Sequence, residues 1–199
     1  MNFTGPKVKK SRALGVALTP KAEKYMKKRP FGPGQHGQRR RRRPSDYGVQ
    51  LLEKQRLRFQ YNVSERQLVR AYEQATRKSG PTGEILIQLL ETRLDAVVLR
   101  AGLAPSIFAA RQVVSHGHIM LNGKKVNIPS QRVKPGDVIT IREKSKNLVM
   151  FQEGRVPANV PGYLSFDDST LTAKLLSLPP RDEVPVIVNE QLVVEYYSR

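Results

Sequence analysis

The sequence predicts an α+β fold: a mostly helical domain, a small inserted module of two short helices and an antiparallel sheet, and an extended basic N-terminal arm. Three observations carry this. Apolar residues recur at helical spacing between 47 and 90 and again after 189. The run 118–141 alternates around an Asn-Gly pair. The first 43 of 199 residues hold 14 Lys and Arg against one acid, Glu23. The expected domains are residues 1–44, residues 45–90 together with 175–199, and residues 91–174.

The arm comes first. Residues 1–44 carry five prolines, the loop Gly32-Pro33-Gly34-Gln35-His36-Gly37 and the run Arg39-Arg40-Arg41-Arg42-Arg43. Few apolar residues and high charge predict irregular structure until a partner neutralises the segment. Five consecutive arginines suit phosphate, whose oxygens match the planar donor fork of guanidinium.

Ser45 is placed to cap a helix through Tyr47, Leu51, Leu52, Leu57 and Phe59. Ser64-Glu65-Arg66-Gln67 is a capping box, in which Ser64 and Gln67 satisfy each other's amides. Leu68, Tyr72 and Ala75 then form one helical face, Gly80-Pro81 ends it, and Thr82 opens a helix with Ile85, Leu86, Leu89 and Leu90 on one side.

The inserted module follows. Thr92 precedes a short helix with Leu94, Val97 and Val98, closed by Gly102. Ser106 caps a second helix, closed by Gly117. His118–Leu121 reads as a strand, Asn122-Gly123 as a two-residue hairpin turn, and Lys125–Ile128 as the returning strand. Lys134-Pro135-Gly136-Asp137 turns into a strand at Val138–Ile141. A further strand is expected at Val184–Val188. Asn189 caps a closing helix whose face, Leu192, Val193, Tyr196 and Tyr197, needs the first helical block to pack on.

The formal net charge is +18: +15 over residues 1–90, +6 over 91–150 and −3 over 151–199. That balance attracts polyanions. No apolar run is long enough for a membrane span, and MNFTGPKVKK lacks the apolar core of a secretory signal. No cysteine is present, which excludes disulfides, thiolate metal sites and Cys nucleophiles. Gly117, Gly123 and Lys124 miss the spacing of a phosphate-binding loop, and no nucleophile elbow or zinc-protease motif occurs. Asp167-Asp168 and Asp182-Glu183 read as solvated acids. His116-Gly117-His118 could suggest a ligand pair, but its two side chains are expected to face opposite ways, which makes it a poor one. No catalytic residue, cofactor, metal or small-molecule substrate is therefore expected.

What remains is a basic surface suited to nucleic acid, with RNA preferred because no DNA-reading helix stands out. On the arm the candidate contacts are Lys9, Lys10, Arg12, His36 and Arg39 to Arg43. On the helical block they are Tyr47, Lys54, Arg58, Arg66 and Arg70. On the module they are Arg93, Arg111, His116, His118 and Asn122, followed by Lys124, Lys125, Arg132 and Lys134.

The segments Arg93-Leu94-Asp95, Ala110–Ile119, Asn122–Asn127 and Lys134-Pro135-Gly136-Asp137 resemble the small RNA-binding module named after ribosomal protein S-four. Pro33–Gly37, Pro44–Leu51, Ser64–Gln67 and the ending Asn189–Ser198 resemble the ribosomal S-four family itself, of bacterial or organellar type, over essentially the full length. The module alone also occurs in RNA-modifying enzymes, but such an enzyme needs a catalytic domain with a positioned acid. A free translational repressor remains compatible with the same surface. The resemblance implies a primary binder of 16S rRNA at a 5′-domain junction that nucleates assembly of the subunit body in a cytoplasmic or organellar ribosome. The implied partners are small-subunit ribosomal RNA, neighbouring proteins (especially S-five) and messenger RNA where it enters the subunit, with an influence on decoding accuracy. Many members carry a four-cysteine zinc site in the arm; this chain departs from that pattern.

Overall fold

The computed structural model describes residues 3–38, 44–152 and 160–199. The expected run Arg39–Arg43 lies outside the described residues. The chain divides into two compact units, residues 1–86 with 186–199, and residues 87–185. The α+β class expected from sequence holds.

In the first unit, α1 (Lys7–Leu14) and α2 (Pro20–Lys28) occupy the segment expected to lack a core. The signals were local and strong. Thr19 accepts the Ala22 amide and Pro20 stands at the first helical position, where its missing N–H costs nothing. Gly15 ends α1 at φ 70°. Leu14, Val16, Leu18 and Ala22 are buried. The buried Ser11 hydroxyl donates to Lys7 O at 2.9 Å and accepts from Leu18 N at 3.2 Å, tying α1 to the chain that follows. Arg56 donates to Leu14 O at 2.8 Å, fixing α1 to α3 (Asp46–Gln60).

Ser45 caps α3, and the Ser64–Gln67 capping box opens α4 (Glu65–Thr76). Helix α5 (Thr82–Glu91) starts after Pro81. The last helix, α10 (Glu190–Tyr197), is capped by Asn189 and packs on α3. Asn189 N donates to Glu53 at 3.0 Å and Gln50 donates to Glu195 at 3.1 Å. Val184–Val188 is not a strand. Pro185 lacks an amide donor, and the side-chain amide of Gln60 takes the place of a partner strand, accepting Ile187 N at 3.1 Å and donating to Ile187 O at 3.0 Å.

The second unit contains α6 (Leu94–Arg100), α7 (Ile107–Ser115) and five antiparallel strands in the order β2-β1-β3-β5-β4. Strands β1 (Ile119–Leu121) and β2 (Lys124–Val126) join through Asn122 and Gly123 at φ 50° and 76°, the paired left-handed geometry such a hairpin needs. Strand β3 is Val138–Ile141. Two short helices, α8 (Glu143–Lys146) and α9 (Val149–Gln152), follow. Strands β4 (Leu164–Asp167) and β5 (Thr172–Leu175) extend the sheet, with Ile139 paired to Ala173 and Phe166 to Ala173. The boundary expected between 174 and 175 thus falls inside β5. Asp167, read as a solvated acid, organises the β4–β5 turn by accepting Ser169 N at 2.9 Å and the hydroxyls of Ser169 and Thr170 at 2.7 and 2.8 Å.

Candidate nucleic-acid interface

The cations of the module divide into an interior set and an exterior set. Arg93 is 5% exposed. Its fork donates to both oxygens of Asp95 at 2.9 and 2.7 Å, while Asp95 Oδ1 also accepts the Ala96 amide at 3.1 Å. Burial pushes the Asp95 carboxyl up, and the Arg93 contact opposes it. Arg111 lies half-buried with Nη1 3.8 Å from Asp95 Oδ2. Thr92 O accepts Val133 N at 2.8 Å and Leu94 N donates to Gln131 O at 2.8 Å, with Arg93 bridged to half-buried Arg132. Arg93 is therefore not on the basic surface. It neutralises a buried carboxylate and clamps the 129–133 loop to the start of α6. Beside it, Glu91 accepts the Tyr163 hydroxyl at 2.8 Å and pairs with Arg100. Burial and then Glu91 hold that phenol far above its usual range.

At the other end of α7 the chain builds a cationic cluster. His116 follows α7, Gly117 turns at φ 71°, and His118 leads into β1. The expectation that the two imidazoles face apart fails: their rings lie 6.0 Å apart, and even along an extended chain side chains two positions apart share a face. A Cβ on Gly117 would lie 2.4 Å from Lys125 Cε, so the Lys125 stem crosses the glycine. His118 Nδ1 pairs with Ser145 Oγ at 2.9 Å. Burial, then His116, Arg142 and Lys125, hold the His118 imidazole below its ordinary value. Lys124, Lys125 and Lys134 are exposed around the hairpin. Asn122 is occupied in the turn: it donates to Asp137 and accepts Val138 N, both at 2.8 Å.

The same division runs through the helical unit. Lys54 is 4% exposed, with Nζ 2.9 Å from Glu65 and 4.7 Å from the Tyr196 ring centre. It is a structural cation, contrary to its expected place on the surface. Half-buried Arg58 donates to Val63 O and Glu65, both at 3.3 Å. The Tyr197 hydroxyl donates to the same carboxylate at 2.7 Å. Burial would raise Glu65, but the Lys54 and Tyr197 bonds hold it below the usual range. Lys10 sits over the Phe59 ring at 4.3 Å, and Arg12 donates to Phe31 O and Gly32 O at 3.1 and 2.9 Å. Lys9, His36, Tyr47, Arg66 and Arg70 are exposed. Sequence reasoning passed over Tyr25 and Arg29, both exposed on or just after α2; the signal was an aromatic among lysines on a capped helix. A cleft of about 640 Å³ between the starts of α5 and α10 carries Glu84 and Glu190, a poor lining for phosphate.

The zinc site implied for many S-four proteins does not fit. The chain has no thiolate, and no group of three His, Asp or Glu side chains is gathered among the described residues. In this segment Ser11 bonds Lys7 O and Leu18 N, and Arg12 bonds Phe31 O and Gly32 O. No helix among the described residues is long and apolar enough to cross a membrane.

Fold and charge define a small, strongly basic α+β protein in which a unit of short helices and an antiparallel sheet is inserted in the chain of a helical unit. The family model described as ribosomal protein S4/S9 N-terminal domain matches residues 2–91, and that of the S4 domain matches residues 92–139. The chain is 57% identical to the small ribosomal subunit protein uS4 of Streptomyces avermitilis, over 100% of this chain and 99% of that relative. It is 56% identical to the protein of the same name in Micrococcus luteus, over 96% and 95%, and 50% identical to that of Chlorobium phaeovibrioides, over 99% and 98%. The chain belongs to the uS4 family of small-subunit ribosomal proteins, which are not enzymes.

Proposed function

We propose that the protein is a primary binder of 16S ribosomal RNA in the cytoplasmic small subunit, seating on a 5′-domain junction and nucleating assembly of the subunit body. The observation that carries this is the sorting of charge. The acids Glu53, Glu65, Glu91 and Asp95 pair with cations inside each unit, while Lys9, Lys124, Lys125 and Lys134 stand exposed. Phosphate contacts of that kind position a protein on RNA, and release of condensed counterions drives the binding. The contact set is accordingly Lys9, His36, Arg66, Arg70, His116, Lys124, Lys125 and Lys134. Neighbouring protein S-five and messenger RNA on its way into the subunit are the further partners, through which the protein tunes decoding accuracy.

Hydroxyl-radical footprinting on naked small-subunit rRNA tests the reading. Protection is expected at one 5′-domain junction, with affinity falling steeply as salt rises. Protection scattered over the rRNA, or a flat salt response, refutes it.

A further inference from the structure

The first unit also carries a cationic cleft away from the hairpin. A cleft of about 460 Å³ opens between α1, α2 and the loop that follows, lined by Lys9, Arg12, Tyr25, Arg29 and Gly34 among others. No acid borders it. The Tyr25 ring is 47% exposed. The side chains of Lys9, Tyr25 and Arg29 make no hydrogen bond, ion pair or ring contact among the described residues. Arg12 shapes the wall instead of filling the space: its guanidinium is spent on Phe31 O and Gly32 O and lies 5.0 Å from the Phe31 ring. The loop is held tight by glycine, since a Cβ on Gly37 would fall 2.0 Å from Gly32 O.

We infer that this cleft receives one unpaired nucleotide of the bound RNA, its base stacked on Tyr25 and its phosphates on Lys9 and Arg29. The volume lies in the range of small-ligand sites. An exposed aromatic flanked by cations is the chemistry that takes an unstacked base, because every base offers a π-face and its backbone a charge. A duplex groove would present phosphates to Lys9 and Arg29 but leave Tyr25 idle. The inference rests on the protein being an rRNA binder.

The test uses the full chain and naked bacterial small-subunit rRNA. Tyr25→Ala should weaken binding by about 5- to 100-fold, as loss of one stacked base does. It should leave the slope of log affinity against log salt unchanged, since no charge is removed. Tyr25→Phe should restore affinity to within twofold, and Arg29→Ala should lower the salt slope by about one. Ultraviolet cross-linking of the wild-type complex should join Tyr25 to a nucleotide that is unpaired in the RNA. Undiminished affinity of Tyr25→Ala, with helix content intact by circular dichroism, overturns the proposal and leaves rRNA binding standing, as does a cross-link to a paired nucleotide. If the wild-type chain fails to bind the rRNA, the functional reading falls instead.

Discussion

Replacing Arg93 by Met removes one half of a buried ion pair and leaves the other half in place. Asp95 is fully buried and takes two donors from Arg93, at 2.9 and 2.7 Å. Breaking such a pair from one side costs about 3–5 kcal/mol, because the carboxylate loses its partner without regaining water. Arg111 stays 3.8 Å away and the Ala96 amide still donates, so the lower end, about 3 kcal/mol, applies. Native-state hydrogen exchange at Val97 and Val113 reads the second unit directly, and their amides should exchange about 100-fold faster. Burial already raises the Asp95 carboxyl, and without Arg93 it rises further. A carboxyl whose folded value lies above its unfolded one loses stability as pH rises through that folded value. The deficit must therefore be larger at pH 7.5 than at pH 5. Arg93→Met with Asp95→Leu, which removes both charges, should recover most of the loss. Once corrected for folded fraction, rRNA affinity of Arg93→Met should stay within about twofold, since one lost RNA contact would cost more. A pH-independent deficit under about 1 kcal/mol, or a double variant no better than the single one, refutes the assignment of Arg93 to the interior.

Gly117→Ala forces a side chain into a left-handed position and displaces Lys125. It should cost about 1–3 kcal/mol in denaturant titration and lower the salt slope of rRNA binding by about one. Glu65 is held below the usual carboxylate range, so its contribution is full above the unfolded value, near pH 4.3, and fades as pH falls through the folded one. Glu65→Gln should flatten the acid limb of the first unit's stability curve, followed by tyrosine fluorescence. Burial and the charges of His116, Arg142 and Lys125 hold His118 low in the free protein. Phosphate bound at His116 and Lys125 should offset that charge and favour its proton. Affinity for rRNA should climb as pH falls from 7.5 to 5.5, by at most about one decade per unit for a single linked proton. Filter binding should show a shallower climb in His118→Gln.

Capping and turn chemistry made most of the elements between residues 45 and 141, and the last helix, legible in the sequence. Ser45, Ser64 with Gln67, Ser106 and Asn189 each cap the helix expected of them, and Asn122-Gly123 makes the expected hairpin. These signals act over three or four residues, so no tertiary knowledge is needed to read them. The failures have the opposite character. Whether Arg93 faces water depends on Asp95 being enclosed by the 129–133 loop, and whether Lys54 does depends on α10 arriving from residue 190 onward. Strands β4 and β5 are joined by Asp168-Ser169-Thr170-Leu171, with none of the glycine turn signals that marked β1, β2 and β3. Helices α1 and α2 were hidden by composition: fourteen basic residues masked a buried row of Leu14, Val16, Leu18 and Ala22 and a plain Thr19-Pro20 cap.

A chain this positive must offset its own repulsion to stay folded at all. Like charges oppose the compact state, and the cost falls hardest on cations buried without an anion. Buried and half-buried cations of each unit pair with a carboxylate of the same unit: Arg56 with Glu53, Lys54 and Arg58 with Glu65, Arg100 with Glu91, Arg93 with Asp95. With those four acids spent inside, exposed lysines on α1, α2 and the hairpin dominate the outer field. On the outside of α2, Lys27 pairs with Glu23 at 2.9 Å. Exposed ion pairs of that kind contribute little to stability, and Glu23 offsets only one of the charges nearby. Interior neutrality keeps each unit folded, and surface imbalance is left for the polyanion. A substitution that adds an acid near Lys124 or Lys9 would therefore stabilise the free protein slightly while weakening its grip on RNA.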